Sequence, residues 1–288
     1  KKESSLAYAV QKVRGGELNR VKEVNMITAL AGKAAGVQVS KNSSGMGGSA
    51  KVSIRGVRSV AGDNQPLYVI DGVPMSNSTS EQAYSAIGGT ANAGNRDGGD
   101  GISNLNPEDV ESISILKGAP AAALYGSQAA NGVILITTKK GNSVGRRDIH
   151  FSTGLTFEKA FCLPKMQNNY GVSDVTDSWG EKENLMAYDN LNNFFRTGLT
   201  SITSVSVNSG NDRLQTYFSY ANTTGRGILN ENKLSKHNIN LRETAVLFNS
   251  LLKLDGNVNV MRQTVKNKPV SGGFYMNPLV GLCLLYTS

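Results

Sequence analysis

The sequence predicts an α+β domain with a small mixed sheet and short helices, joined to an antiparallel sheet of longer strands. Three observations carry this. Apolar residues make up 39% of the chain and charged residues only 18%, so it can bury a core. Its 32 glycines, among many Ser, Thr and Asn, suit short strands and turns better than a helical bundle. The hydrophobic pattern also changes character near residue 147, from short mixed signals to long, strict alternation.

In the first half, Asn25 ahead of Met26, Ile27, Leu30 and Ala34 predicts a short Asn-capped helix that ends at Gly36. Val37 to Ser40 and Val52 with Ile54 alternate as strands, on either side of a Gly/Ser-rich loop. The apolar run Leu67 to Ile70 predicts a buried strand, closed by Asp71-Gly72 turn chemistry. Asn106-Pro107-Glu108-Asp109 is a helix start: a capping Asn, a Pro where no N–H is needed, and acids at the positive end of the dipole. Ile113 to Leu116 and Val133 to Thr138 read as strands, with an Ala-rich helical turn from Ala119 to Tyr125 stopped by Gly126.

In the second half, Ile149, Phe151, Leu155 and Phe157 alternate with His150, Ser152, Gly154 and Thr156. Further strands are expected over Ser201–Asn208, Leu214–Asn222, Lys236–Val246 and Leu252–Arg262, with a tight turn at Asn211-Asp212 and a long polar insertion over 161–197. Tyr217, Phe218 and Tyr220 suit an interfacial aromatic girdle. A soluble sandwich shows the same alternation. The polar strand positions Asn238, Asn240, Arg242, Asp255, Asn257 and Asn259 favour a wet or filled barrel lumen, because a dry core would have to satisfy each of them.

No apolar run is long enough for a transmembrane helix, which leaves barrel strands of about 9–11 residues open. Lys1-Lys2-Glu3-Ser4-Ser5 is not followed by an apolar signal region, so an exported protein is expected to have lost its start. The net charge of +8 is scattered rather than gathered with aromatics, which argues against nucleic acid as a partner. Cys162 and Cys283 show no metal spacing and are read as unpaired. Trp179 reads as a loop-packing aromatic and Asp97 to Gly101 as a polar turn rather than a calcium loop. No catalytic constellation, cofactor motif or metal-ligand pattern is present, and the chain is not read as an enzyme.

Five blocks carry a family resemblance. They are Ser53 to Ser59 with Ile54-Arg55-Gly56, Pro66 to Pro74 with Tyr68-Val69-Ile70-Asp71-Gly72, Leu105 to Ala119 with Leu116-Lys117-Gly118, Leu124 to Ile134 with Tyr125-Gly126 and Asn131-Gly132, and Ile136 to Gly141 with Lys139. In this order they resemble the plug domain of SusC/RagA-type TonB-dependent receptors. The resemblance implies a plug over 1–141, a hinge over 142–147 and, over 148–288, the start of an incomplete transmembrane β-barrel of the 22-stranded type. It implies the TonB energy coupler as partner, gripping a segment upstream of this chain, together with a SusD-like surface lipoprotein, outer-membrane lipid and an oligosaccharide or peptide substrate. The expected place is the outer membrane of a Bacteroidota-like Gram-negative bacterium.

Two other readings stay open at this stage: a siderophore- or vitamin-type receptor without the lipoprotein lid, and a surface binding protein with no transport role. Residues 282–288 fit poorly as a continuation and suggest a junction. Gly56, Gly72, Gly126, Gly132 and Gly141 are expected where strands or helices stop. Arg55, Asp71 and Lys117 are read as structural latches rather than substrate contacts, with the Arg55 guanidinium paired.

Overall fold

The computed structural model describes residues 10–41, 45–57, 64–75, 77, 81–83, 95–97, 99–142, 145–161, 163, 169–171, 180–182, 190–248 and 251–266. Cys162, Trp179, Cys283 and the 282–288 segment lie outside the described residues.

A five-stranded mixed sheet organises the first domain. Its strands are β1 (Val10–Arg14), β4 (Leu67–Ile70), β5 (Val73–Met75), β8 (Val110–Leu116) and β9 (Val133–Thr138), in the order β1-β8-β9-β4-β5. Only the β4–β9 pair is parallel. Two ribbons accompany it: β2 (Val37–Lys41) with β3 (Ala50–Ile54), and β6 (Glu81–Ala83) with β7 (Asn95–Asp97). Helices are short: α1 (Gly15–Leu18) and α2 (Ala119–Tyr125).

The core gathers Val13, Leu30, Val52, Tyr68, Ile113 and Ile134 with their neighbours, and every member of both buried clusters falls between residues 13 and 136. Two acids stitch the loops below it. Asp97 accepts from the Ser49 N–H at 2.7 Å, and Asp100 accepts from the N–H groups of Ala50 and Ser103 at 3.0 and 2.9 Å. The Asp97 to Gly101 turn therefore uses its carboxylates on backbone donors, as a polar turn does.

Several expectations shift in detail. The 25–36 helix contracts to one 3₁₀ turn, Thr28–Leu30, although the Asn25 side chain does accept from the Ile27 N–H at 3.0 Å. Met26, Ile27 and Leu30 are buried all round, so tertiary packing holds this segment rather than an amphipathic stripe. Asn106 caps a 3₁₀ turn, Pro107–Asp109, rather than an α-helix. Strand β1 had no expectation, being short and polar.

The second half is a sequential antiparallel sheet: β10 (Asp148–Glu158), β11 (Gly198–Gly210), β12 (Leu214–Arg226), β13 (Lys233–Leu247) and β14 (Leu252–Lys266). The 161–197 insertion carries a short helix, α3 (Asn190–Phe194). Tight connections at Asn211–Arg213 and Phe248–Leu251 lie at one end, and the long insertion at the other. Asn211 Oδ1 closes the first turn by accepting from Arg213 and Leu214 N–H groups at 2.9 and 2.8 Å.

One face of this sheet is apolar and uncovered: Ile149 is 76% exposed and Phe157 70%. The apolar window occupies Ile149 to Phe157 on β10 but Leu252 to Val260 on β14, where the register row through Phe157 ends at Lys266. A level apolar band on tilted strands slips along the register in this way, which a sandwich core does not require. The opposite face of β12 and β13 is covered by the first domain, with Tyr217, Ser219, Lys236, Asn238, Asn240, Arg242 and Thr244 buried. The fold is thus an α+β domain resting on the inner, polar face of an unclosed barrel wall. Tyr217 points inward and leaves the expected girdle to Phe218 and Tyr220, because the alternation along β12 puts odd positions on the inner face.

Candidate functional site

The candidate site is the seam between domain and wall. Its centre begins with a turn. Ile70 pairs with Val73, so Asp71-Gly72 is a two-residue hairpin loop, and both residues have positive φ, 49° and 90°. This is the type I′ geometry that Asp-Gly favours. It directs the Asp71 carboxylate back onto β9, where Oδ1 accepts from the Thr138 N–H at 3.0 Å and Oδ2 from the Thr138 hydroxyl at 2.5 Å. Arg242 arrives from β13 and donates from Nη1 to Asp71 Oδ2 at 2.8 Å and to Thr138 Oγ1 at 2.5 Å. Its Nε and Nη2 grip Asp255 of β14, both at 2.9 Å, in a bidentate fork. Lys140 then bonds the same carboxylate at 3.2 Å. The Arg242 side chain is only 5% exposed, so its charge is held between two carboxylates rather than by water.

A second contact lies beside it. Asp109, fully buried, accepts from the Tyr217 hydroxyl at 2.9 Å and the Ser219 hydroxyl at 2.5 Å. Burial pushes the Asp109 carboxyl above its usual range, against the opposing pull of those hydroxyls and of Lys139. Burial likewise lowers Lys139, whose N–H donates to the Asp109 carbonyl at 2.8 Å. Elsewhere Lys236 donates to the Ser103 carbonyl at 2.5 Å, Asn238 to the Asn104 carbonyl at 2.7 Å, and Lys22 meets both Glu108 and Ser152 of β10. These polar contacts alternate with apolar ones, where Met46 lies against Gly225 of β12 and Leu234 of β13 against Gly47.

Of the expected site residues, Asp71, Lys139 and Gly141 reach this seam. A Cβ on Gly141 would meet Gln215 Cβ at 2.7 Å, so the chain leaving β9 lies hard against β12. Lys117 instead latches the domain internally, donating to Gln11 Oε1 at 3.0 Å and the Ala35 carbonyl at 2.5 Å. Gly56 and Gly126 have positive φ at element ends, Tyr125 packs half-buried on the smaller core cluster, and Asn131 sits half-buried before β9. Gly132 combines φ of 99° with an approach that would bring a Cβ to 2.9 Å from Ile54 Cδ1.

Arg55 departs from expectation. It lies one residue past β3 with φ of 62°, is exposed, and rests its guanidinium against Gly118 with no carboxylate partner among the described residues. An exposed guanidinium keeps its water and needs no such partner. Arg242, Asp109, Lys140, Tyr217 and Lys236 were not singled out as site residues. For Arg242 and Lys236 the one signal was the alternation of polar residues along β13. Among the described residues, no group of three His, Cys, Asp or Glu side chains gathers to hold a metal ion.

A polar-faced barrel wall holding an α+β stopper by charged contacts defines a plugged outer-membrane receptor. The family model for the TonB-dependent Receptor Plug Domain matches residues 2–133. The chain is 30% identical to the TonB-dependent receptor SusC of Bacteroides thetaiotaomicron over 94% of its own length and 26% of that protein's. It is 37% identical to the ferrienterobactin receptor of Escherichia coli over 41% of its length and 15% of that receptor's. In structure it resembles the RagAB peptide importer in the open-open state, with a TM-score of 0.69 at 23% identity, covering 95% of this chain and 32% of that one. The chain belongs to the TonB-dependent receptors, and within them it is of the SusC/RagA type. It spans about a quarter of the length of SusC.

Proposed function

We propose that this segment is the gate of a TonB-energised importer that carries a glycan fragment or an oligopeptide across the outer membrane of a Gram-negative, Bacteroidota-like cell. In this reading residues 1–141 are the plug, 142–147 the hinge and 148–288 the start of the barrel. A SusD-like surface lipoprotein lids the outer mouth, and TonB grips a segment upstream of the plug. One observation carries the gating role: both buried clusters close within residues 13–136, and charged and hydrogen-bonded contacts to the wall lie outside them. A domain that keeps its own core on one side of the seam separates without opening that core. Solute binding that favours the released state supplies the bias, and the pull supplies the work.

The test is uptake of labelled oligosaccharides and peptides by cells carrying the complete receptor, with and without the TonB coupler. Coupler-dependent uptake of one class is expected, and coupler-independent entry rules the mechanism out. The likeness to the ferrienterobactin receptor supports a siderophore-type alternative. Absence of a co-purifying lipoprotein together with coupler-dependent uptake of a ferric chelate would select it.

A further inference from the structure

The first domain meets β14 near both ends and leaves the stretch between them open. At one end Asp255 is gripped by Lys140 and by the Arg242 that Asp71 holds. At the other, Gly47 lies against the strand, where an added Cβ would stand 3.0 Å from Val265 Cγ2 and 3.1 Å from Gln263 Nε2. From Asp255 to Gln263 the strand covers about 27 Å. The inward positions between are Asn257, Asn259 and Met261, which pair in register with Arg242, Asn240 and Asn238 on the buried inner face of β13. Asn257 and Asn259 are exposed, and among the described residues neither side chain makes a hydrogen bond.

This strip continues a cavity. A cavity of about 240 Å³ between the first domain and the wall has Gln263 in its lining, beside Met46, Leu229 and Glu23. Gln263 is the next inward residue after Met261, so cavity and strip form one passage that ends at the Asp255 contact. The inward positions from Gln263 to Asn257 carry no charge, and among the described residues no aromatic ring lines the strip or the cavity. Beside Asn259, Asn240 is 2% exposed and its Oδ1 has no hydrogen-bond partner among the described residues. A buried acceptor of this kind calls for a donor.

These groups suit one kind of chain. A side-chain amide offers a donor and an acceptor side by side, so it can pair with the N–H and C=O of a single peptide residue. In an extended peptide those two groups face the same edge at every second residue, about 7 Å apart. Asn257 and Asn259, alternate residues of one strand, repeat at that same spacing. A sugar ring finds no aromatic face here on which to stack.

We infer that β14 carries a peptide-backbone strip, on which Asn257 and Asn259 pair with alternate residues of an extended oligopeptide and Asn240 accepts a further N–H. The inference rests on the import reading and narrows its cargo to peptide, recognised by main chain rather than by sequence. Each amide supplies two neutral hydrogen bonds, so removing both amides weakens binding roughly tenfold or more.

The experiment is equilibrium dialysis of the complete receptor in detergent against three labelled probes. They are tetra-alanine, its ester analogue in which oxygen replaces each internal N–H, and a neutral glucose tetrasaccharide. Tetra-alanine is expected to be retained, the ester analogue to bind roughly tenfold less tightly or worse, and the sugar to pass. Equal retention of peptide and ester, preference for the sugar, or no retention of tetra-alanine at millimolar concentration overturns the inference, and none of these needs a variant to fold. The Asn257→Leu/Asn259→Leu variant is expected to lose roughly tenfold in tetra-alanine affinity while its barrel keeps wild-type heat-modifiable mobility. Unchanged affinity in that folded variant also overturns it. Coupler-dependent uptake of an oligosaccharide alone would sink the strip and leave import standing. Coupler-independent entry would sink import, while dialysis of the purified receptor still decides the strip.

Discussion

Arg242 Nη1 lies 2.8 Å from Asp71 Oδ2, joining the first domain to the wall across 171 positions of sequence. The bond is one arm of a guanidinium whose other arm is taken by Asp255. Arg242→Gln leaves Asp71 without its cation and Asp255 with Lys140 alone. Because those carboxylates are partly exposed, the expected loss is about 2–3 kcal/mol, below the full cost of breaking a deeply buried pair. Limited proteolysis of the complete receptor at the 142–147 segment should quicken, while the heat-modifiable mobility of the barrel stays as in wild type. Unchanged cleavage would show that the latch does not hold the seam.

Asp109→Asn tests the second contact through pH. The folded carboxyl titrates above its unfolded value, so its stabilising contribution is complete below the ordinary carboxylate range and is lost as pH rises through the raised value. The Tyr217 and Ser219 hydroxyls can still donate to an amide oxygen. The variant should therefore gain thermal stability relative to wild type as pH rises from 4 towards 7.5. A melting-temperature difference that is flat over this range would contradict the buried-carboxylate account.

Gly132→Ala places a methyl at 2.9 Å from Ile54 Cδ1 in a backbone region that alanine avoids. A loss of about 1–3 kcal/mol is expected, read as a lowered midpoint of plug unfolding by far-UV circular dichroism. Gly16→Ala, with nothing within 4 Å of the added methyl, is the matched control and should be near neutral.

Phe151→Arg puts a charge in the outward apolar window, and about 2–4 kcal/mol of barrel stability should be lost if the site lies near the bilayer midplane. Thr264→Arg, two outward register rows further along the same face, should be tolerated. Urea titration of the complete receptor folded into liposomes compares them, and equal costs would mean the face does not contact lipid.

How much of this was legible in sequence follows from range. The five wall strands announce themselves by alternation, a local property, and Asp71-Gly72 declares its turn in two residues. The Ile149 to Phe157 pattern even gives the face. Strand β1 was illegible because Val10-Gln11-Lys12-Val13-Arg14 earns its conformation from pairing with Val110–Leu116, a hundred residues on. The 25–36 segment misled because its apolar residues are buried on all sides, so spacing carried no phase. Tyr217 was misplaced by one step of a two-residue repeat. The seam was hidden for the same reason as β1: Arg242 is an unremarkable polar residue in β13 until Asp71 stands opposite it.

The place of β1 in the sheet has a mechanical consequence. It is an edge strand, paired along its backbone with β8 alone. Tension applied ahead of Val10 therefore loads those few backbone bonds first, and the turn at Asp71 feels force only after β1 has come away. Unravelling from the edge inward would let a modest tug loosen the stopper in stages, with the Lys22 contact to Ser152 loaded before the Arg242 anchor.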